Sequence, residues 1–340
     1  MKRKARICLH IGDPTGIGPE LTAKLLADAE RMAAAEVVVF GDGRMLDAGL
    51  RVAGLRLEVP RAASFDEAER RGVWPALVDA RPVDAAGEPA GRLSAVAGRY
   101  VNAVNDLILD LCLAGRVDGY VFAPFNKEAM KLGGSPFPSE LEGFKDRLDK
   151  SNPALEINIL DEMWTTRITS HIPHRDVAAQ ITPDKVAAGI RFIDRCLRDY
   201  GLREPRVAVA ALNPHGGEHG LFGDEEQRLI EPGIAAARRD GVRADGPFPA
   251  DTIFLRVKAG QYDAVVAMYH DQCQIATKLM GFDRGVTYHA GFRVPITTPA
   301  HGTAFDIAGR GSANPQPIKR AFDVALRVAS ARLSGGLSRS

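Results

Sequence analysis

Three histidines in this 340-residue chain each follow a short apolar run of the kind that forms a buried β-strand. They are His171, His215 and His270. Neutral imidazole is a common ligand of divalent transition metals, and three protein ligands that leave coordination positions open are typical of a catalytic site. The chemistry that these residues could support is metal-assisted catalysis, and they are candidate metal ligands.

The wide spacing of the three histidines keeps a second interpretation open. No local pattern such as HExxH joins them, and a single histidine at a strand end is often a hydrogen-bonded structural residue. His174 and His219 lie close to two of them in the chain and are alternative ligands. Asp271 and Glu218 could each hold an imidazole ring in one tautomer.

The elements that would position these histidines alternate between strand and helix. Buried strands are predicted at 6–11, 36–40, 118–125, 165–168, 206–210 and 264–267, and amphipathic helices at 91–115, 182–200 and 223–239. In open α/β sheets, ligands bind beyond the carboxyl ends of the strands, which is where the histidines fall. Residues 60–92 are less regular and are predicted to lie on the surface.

Other polar segments also follow predicted strands. Lys127 ends one of them and is a candidate substrate contact, while the Gly/Pro-rich segment 133–144 is either a substrate-selecting loop or a linker between lobes. The glycine-rich turn 12–20 is either a phosphate cradle at a helix start or a plain connection with a buried acidic cap. Its spacing matches neither GxGxxG nor a P-loop.

A late segment, 283–315, combines glycines with polar side chains. The glycines allow a tight loop to approach a ligand, and the polar groups offer donors and acceptors for a nucleotide. The residues concerned are His301, Gly302, Asp306, Gly309, Gly311 and Asn314. Composition alone does not name the ligand.

Charge and cysteine usage exclude some classes of partner. The net charge is +1, from 44 basic and 43 acidic residues dispersed along the chain, so no basic face for nucleic acid or a membrane is predicted. The four cysteines are widely spaced, which suits a reducing compartment. The apolar run after the basic N-terminus is too short for a signal or membrane segment. We expect a cytoplasmic protein that binds a small neutral or anionic molecule.

An ordered series of motifs resembles the 4-hydroxythreonine-4-phosphate dehydrogenase family. The motifs are GDPTGIGPE at 12–20, SHIPHRD at 170–176, LNPHGGEHGLFGDEE at 212–226, GPFPADTIF at 246–254, MYHDQ at 268–272, KLMGFDRGV at 278–286 and HGTAFDIAGRG at 301–311. They run in order through almost the whole chain, and an ordered set is far more specific than any single motif. The last run also resembles the nucleotide-binding loop of isopropylmalate and isocitrate dehydrogenases.

The resemblance implies a two-lobed α/β fold like that of isocitrate and isopropylmalate dehydrogenases, with a mostly parallel central sheet. One lobe would comprise 1–132 plus 285–335 and carry the nucleotide loop, and 133–284 would carry the metal ligands and dimer contacts. The resemblance also implies a homodimer with a shared active site, and NAD or NADP with a divalent metal. The family's metal ligands fall on the three histidines, and its lysine after HDQ falls on Lys278.

The implied reaction is oxidation of a hydroxyl close to a carboxylate, with hydride transfer to the nicotinamide and subsequent decarboxylation. The metal would act as a Lewis acid, and zinc, cobalt, nickel, manganese or magnesium would suit the site. Lys278 would carry a proton or stabilise charge, and Asp271 is the second catalytic candidate. The substrate would be small and carboxylated, with or without a phosphate.

Departures from the family pattern cluster where the substrate is selected. Phe137-Pro-Ser-Glu140 replaces the usual Gly-His-Thr-Glu, Thr287 replaces an asparagine, and Ile296 replaces an arginine. An arginine occurs instead at Arg293, where it would suit a substrate carboxylate or phosphate. These features resemble the branch that oxidises carboxylated cis-dihydrodiols, and other branch members act on phosphorylated four-carbon sugar acids. Glu140, Lys127, Arg293 and Thr287 are the candidate substrate contacts.

Two other classes remain as alternatives. Phosphotransacetylases are similar in overall fold but would need no histidine triad. A catalytically silent ligand-binding relative would be expected to have lost at least one histidine. Because all three are present, the sequence favours an enzyme.

Overall fold

Strands and helices alternate along most of the chain and divide between two units. The computed structural model describes residues 3–151, 153–161 and 163–335. Unit 1 combines the segments before Leu155 and after Gly285, and unit 2 comprises Leu155–Gly285. The predicted two-lobed α/β architecture is therefore confirmed. No helix in the described ranges is both long and apolar enough to span a membrane.

Twelve strands form within the described residues. They are β1 (Arg6–His10), β2 (Glu36–Gly41), β3 (Arg61–Ala62), β4 (Ala76–Asp79), β5 (Gly119–Phe122), β6 (Leu155–Leu160), β7 (Met163–Arg167), β8 (Arg206–Ala210), β9 (Arg243–Phe248), β10 (Ala264–Ala267), β11 (Val286–Ala290) and β12 (Ile296–Pro299). Most are short apolar runs buried on both faces, as expected of parallel strands covered by helices.

Thirteen α-helices are described. They are α1 (Gly18–Leu26), α2 (Ala29–Ala34), α3 (Gly43–Val52), α4 (Phe65–Arg71), α5 (Ala95–Leu113), α6 (Lys127–Leu132), α7 (Glu140–Leu148), α8 (Val177–Gln180), α9 (Pro183–Asp199), α10 (Glu231–Arg239), α11 (Ile253–Lys258), α12 (His270–Gly281) and α13 (Gln316–Leu333). A π-helical turn at Glu226–Ile230 leads directly into α10. Short 3₁₀ turns cover His174–Asp176, Pro214–Gly217 and Phe282–Arg284.

Each unit is built around a mostly parallel sheet. In unit 1 the strand order is β3-β4-β2-β1-β5-β12-β11, and the pairings are parallel except for β11 with β12. In unit 2 the order is β6-β7-β10-β8-β9, with β6 antiparallel to β7 and the remaining pairs parallel. Parallel strands send their carboxyl ends to one edge, so each unit has one edge where polar loops can meet.

Two features of unit 1 differ from what the sequence predicts. The segment around Ala76 is not surface decoration, because β4 pairs with β2 and Leu77 is fully buried. The first lobe boundary also lies later than the predicted 132/133, because α7 belongs to unit 1. Phe144 of this helix is buried, with its ring 6.2 Å from that of Tyr120 and 5.9 Å from that of Phe122.

Candidate functional site

The carboxyl ends of β7 and β10 bring two of the predicted metal ligands together in unit 2. These neighbouring parallel strands pair Ala267 with Arg167. His171 lies four residues beyond Arg167, and His270 lies three residues beyond Ala267 at the start of α12. The ring centroids of the two histidines are 5.6 Å apart. The two imidazoles are therefore neighbours at the edge of the sheet where ligands are expected.

Asp271 fixes the tautomer of the His270 ring. Its Oδ1 atom lies 2.7 Å from Nδ1 of His270. A carboxylate can only accept a hydrogen bond, so Nδ1 carries a proton, and the tautomer of the neutral ring is the one with its lone pair on Nε2. A neighbouring carboxylate that orients an imidazole in this way is typical of metal-binding histidines. The prediction that Asp271 holds an imidazole tautomer agrees with this contact.

His215 lies in an unusual left-handed segment after β8. Residues 215–220 all have positive φ, with values of 54°, 67°, 77°, 43°, 57° and 99°. Three of them, His215, Glu218 and His219, are not glycine, and this conformation costs such residues about 1 kcal/mol or more each. His171 is also left-handed, with φ of 53°. Backbone strain of this kind concentrates at functional sites and must be held by surrounding contacts.

The three candidate histidines are not gathered into one ligand set. Within the described residues, no group of three or more histidine, cysteine, aspartate or glutamate side chains is close enough to hold a metal ion. The His215 ring instead contacts Phe222, with centroids 6.1 Å apart. Of the alternative ligands, His174 stacks edge-on against Tyr269 at 5.1 Å.

Two residues that closely follow His270 in α12, Gln272 and Cys273, serve the scaffold. Gln272 accepts a hydrogen bond from the Met268 N–H at 2.8 Å and donates one to the Ala211 carbonyl at 2.9 Å, so it ties the end of β10 to the end of β8. Cys273 is fully buried, and burial raises the pKa of its thiol to about 12. This cysteine is therefore a core residue and not a reactive nucleophile.

In unit 1, the glycine-rich turn after β1 is a packed connection. The backbone N–H groups of Asp13, Thr15 and Ile17 donate to the Pro124 carbonyl, the Asp13 carboxylate and the Thr303 carbonyl. Burial raises the pKa of the Asp13 carboxyl. Because these N–H groups are already used inside the protein, the structure favours the plain connection over the phosphate cradle.

The predicted nucleotide loop lies at the same edge of the unit 1 sheet. Two side chains of α1 hold this loop. Glu20 Oε1 accepts a hydrogen bond from the Ala313 N–H at 2.8 Å. Lys24 Nζ donates hydrogen bonds to the carbonyls of Gly311 and Ala313 at 2.9 and 2.8 Å. Glu20 and Lys24 are themselves paired at 2.7 Å. The loop is thus held by a charged pair that was not singled out from the sequence.

Two glycines and one histidine shape the predicted nucleotide loop. Gly309 and Gly311 have φ of 77° and 74°, and a Cβ at position 311 would lie 2.7 Å from the Val52 carbonyl oxygen. Burial lowers the pKa of His301, so its ring is neutral near pH 7. Its Nδ1 donates to the Gly302 carbonyl at 3.0 Å, which leaves Nε2 as the acceptor nitrogen. Asp306 and Asn314 are exposed.

Three of the four predicted substrate residues lie at this edge. Lys127 Nζ is 3.4 Å from Glu140 Oε2, an ion pair that joins the first residues of α6 and α7. Thr287 pairs with Thr298, whose hydroxyl donates to the Phe122 carbonyl at the carboxyl end of β5. Lys127 and Thr287 therefore lie at the same edge of the unit 1 sheet.

Arg293 lies at the opposite edge of this sheet. It occupies the turn before β12, and β12 runs parallel to β5 with Ile296 opposite Tyr120. A Cβ at Gly115, before β5 begins, would lie 3.7 Å from the Arg293 Nη2 atom. The antiparallel β11–β12 hairpin carries this arginine away from the polar edge. Within one chain it therefore lies away from Lys127, and its contact with the substrate stays a prediction.

The sequence comparison decides the family. Residues 33–325 match the family model described as pyridoxal phosphate biosynthetic protein PdxA. The chain belongs to this family.

Proteins and structures related to this chain match it over nearly its full length. A Pseudomonas aeruginosa protein with the provisional name 4-hydroxythreonine-4-phosphate dehydrogenase 2 is 44% identical, covering 95% of this chain and 96% of that protein. A Symbiobacterium thermophilum protein provisionally named D-threonate 4-phosphate dehydrogenase is 36% identical, with coverage of 97% and 98%. The crystal structure of 4-hydroxythreonine-4-phosphate dehydrogenase from Klebsiella pneumoniae has a TM-score of 0.80 at 35% identity, with coverage of 97% and 98%.

Membership of the PdxA family confirms the predicted family and fold class, and it supports a dehydrogenase rather than an acyltransferase. Two residues that shape the site were missed. Arg167, at the end of β7, is buried and pairs with Glu156 at 2.6 Å. Glu226 is buried against the His215 segment. Each was read as part of a regular element, since no local pattern marks a buried charge.

Proposed function

We propose that this PdxA-family dehydrogenase uses NAD or NADP and a divalent metal to oxidise a hydroxyl close to a carboxylate on a small phosphorylated substrate of the 4-hydroxythreonine 4-phosphate type, with decarboxylation following. The observation that carries the proposal is the pairing of His171 with His270 at one sheet edge, with the His270 ring oriented by Asp271. The family resemblance supplies the reaction class.

Two imidazole donors of unit 2 suit a divalent metal, and the third candidate, His215, is not gathered with them in the described residues of one chain. The oriented Nε2 of His270 and the adjacent His171 ring would serve as ligands, and His215 would be the third. Imidazole ligands suit zinc, cobalt, nickel or manganese, and magnesium could serve if substrate oxygens complete the coordination. A bound metal supplies a Lewis acid for the reacting hydroxyl. Lys278, two helical turns beyond His270 on α12, is the proposed proton carrier.

The loop after β12 fits a dinucleotide. His301, Gly302, Asp306, Gly309 and Asn314 would hold it, since their glycines expose backbone and their side chains offer an acceptor ring nitrogen, a carboxylate and an amide. NAD or NADP supplies the hydride acceptor. The Lys127–Glu140 pair and Thr287 would contact the substrate, with Lys127, half exposed, available for an anionic group.

A second substrate class is favoured by one observation. Ser139 replaces the threonine of the family's usual motif, and its hydroxyl accepts from the Glu142 N–H as the N-cap of α7. The hydroxyl is thereby used within the helix, and Pro138, which has no polar side-chain atom, takes the place of the histidine. A phosphorylated four-carbon sugar acid, or a carboxylated cis-dihydrodiol, would not need the missing histidine and threonine.

The test follows NAD(P)H absorbance with purified protein, added divalent metal and three substrates: 4-hydroxythreonine 4-phosphate, D-threonate 4-phosphate and an aromatic carboxylate cis-dihydrodiol. Turnover of the first substrate alone supports the main proposal. Turnover of either other substrate alone would show that the protein acts on that substrate class instead. Full activity after thorough metal removal would exclude the metal, and no activity with any nucleotide would exclude the loop assignment.

We also propose a homodimer, supported by exposed apolar side chains on the helix that carries His270. Ile275 and Leu279 lie four residues apart on α12 and are 61% and 83% exposed. Two large apolar side chains on one helical face favour burial against a second copy of the chain.

The four buried, free cysteines support a cytoplasmic location.

Introducing a charge on this face is expected to dissociate the dimer. Leu279→Glu would place a carboxylate in the proposed apolar interface, where it would lack a partner. Sedimentation velocity should show a dimer for the wild type and a monomer for the variant. Leu132→Glu on α6 is the matched control, since Leu132 is 56% exposed but lies in unit 1. A monomeric wild type, or a variant that stays dimeric, would refute this interface.

A further inference from the structure

The segment that carries His215 packs against one buried carboxylate and donates hydrogen bonds to it. Glu226 is 2% exposed. Its Oε1 atom accepts from the backbone N–H groups of Leu212 and Asn213, both at 2.8 Å, and its Oε2 atom accepts from the Asn213 side-chain amide at 3.0 Å. Three N–H donors thus converge on this one side chain. They bind the two residues that precede the Pro214–Gly217 turn.

The far side of the same turn also meets Glu226. A Cβ on Gly217 would lie 2.7 Å from Glu226 Oε2 and 2.7 Å from the Gly223 carbonyl oxygen. The backbone of Gly217 therefore approaches the carboxylate as closely as a glycine allows. Both ends of the turn that contains His215 are in contact with the Glu226 side chain.

The local sequence does not explain the conformation of this turn. His215 has φ of 54°, in the left-handed region that non-glycine residues avoid. A conformation of this kind persists where surrounding contacts determine it. Besides local backbone hydrogen bonds such as that from the Phe222 N–H to the Gly217 carbonyl at 3.1 Å, the buried contact on both ends of the turn comes from Glu226, which lies at the first position of a π-helical turn. Single π-helical turns are frequently found at functional sites.

We propose that Glu226 is a positioning residue for His215: its carboxylate folds the 212–217 segment so that the His215 imidazole is held in place as a metal ligand. This inference rests on the proposed function, because it assumes that His215 binds a metal. Glu226 touches neither substrate nor cofactor in this role. It acts through the backbone of Leu212 and Asn213.

Glu225 offers a matched control for this inference. It is the adjacent glutamate and is partly exposed, and its Oε2 atom accepts only from the Asn213 side-chain amide, at 2.7 Å. Among the described residues, no backbone N–H group of the turn donates to Glu225. Changing Glu225 to glutamine alters the same charge and the same amide contact, but leaves both backbone hydrogen bonds to Glu226 in place.

The test measures Co²⁺ affinity of the full-length protein by competition with a chromophoric chelator, together with the visible spectrum of bound Co²⁺. Glu226→Gln keeps the side-chain shape but removes the charge that strengthens the two hydrogen bonds from the Leu212 and Asn213 backbone N–H groups. It also turns an NH₂ group toward the Asn213 amide donor. We expect its Kd for Co²⁺ to rise about tenfold or more, with an altered spectrum. Glu225→Gln should stay within about twofold of the wild type. Thermal unfolding checks that each variant is folded.

A double variant separates positioning from a general structural effect. If Glu226 acts through His215, then Glu226→Gln combined with His215→Ala should bind Co²⁺ no more weakly than His215→Ala alone. Additive losses, an equal loss in Glu225→Gln, or an unchanged Kd in Glu226→Gln would each overturn the inference. In the last case, weaker binding by His215→Ala would leave the metal proposal standing. A wild-type chain that binds no Co²⁺ would refute both.

Discussion

Replacing His270 with alanine is expected to lower kcat/KM by about three orders of magnitude and to weaken metal binding strongly. The reason is that His270 has its Nε2 lone pair oriented by Asp271 and lies 5.6 Å, ring to ring, from His171. The side chain is about one-third exposed at a helix start, so its loss should leave the fold intact. Steady-state kinetics and metal titration on the same preparation measure both effects.

His174 and His219 are the controls for this prediction. Both lie within four residues of a proposed ligand, and the His174 ring packs against Tyr269. Alanine at either position should leave metal affinity close to that of the wild type, because neither is part of the proposed ligand set. If His174→Ala lost the metal and His270→Ala kept it, the ligand assignment in unit 2 would be wrong.

The buried parallel strands were the part of the fold most accessible from the sequence. The predicted strands at 206–210 and 264–267 agree with β8 and β10, because uninterrupted runs of valine and alanine bounded by polar residues have few other structures. The helix predicted at 182–200 agrees with α9, which is marked by Thr182 as N-cap and Pro183 at its first turn.

Features that depend on packing between distant segments were not accessible. α7 was assigned to the wrong unit because its sequence resembles a linker, and only the burial of Phe144 among the rings of Tyr120 and Phe122 shows where it belongs. β4 was missed because a four-residue strand in a segment rich in arginine and proline gives little periodic signal.

In the candidate site, too, local relations could be predicted from the sequence, whereas contacts between distant segments could not. Asp271 beside His270 is a local relation that adjacent residues reveal. The pairing of His171 with His270 depends on β7 lying next to β10 in register, which spacing alone does not give. Arg293 is separated from Thr287 because the hairpin reverses chain direction, so that a residue close in sequence to Thr287 lies at the other edge of the sheet.

Replacing Lys24 with methionine is expected to raise KM for NAD(P)⁺ about tenfold or more while leaving metal affinity unchanged. Lys24 Nζ donates to the Gly311 and Ala313 carbonyls of the proposed nucleotide loop, and hydrogen bonds from a charged group are worth about 1.5–3 kcal/mol each. Their loss frees the loop from α1, so a bound dinucleotide must order it again. Initial rates at varied nucleotide concentration, with Co²⁺ titration alongside, measure the two quantities.

Stability and nucleotide binding must be separated in this variant. Lys24→Met leaves the buried Glu20 carboxylate without its cation, which destabilises the fold by roughly 3 kcal/mol. Adding Glu20→Gln removes that charge and keeps an acceptor for the Ala313 N–H, so the melting temperature should recover while KM stays high. Lys319→Met is the matched control, since Lys319 is similarly exposed but pairs with Asp28, away from the loop. An unchanged nucleotide KM in Lys24→Met would mean that the loop after β12 does not hold the cofactor, because its main attachment to α1 would then be irrelevant to binding.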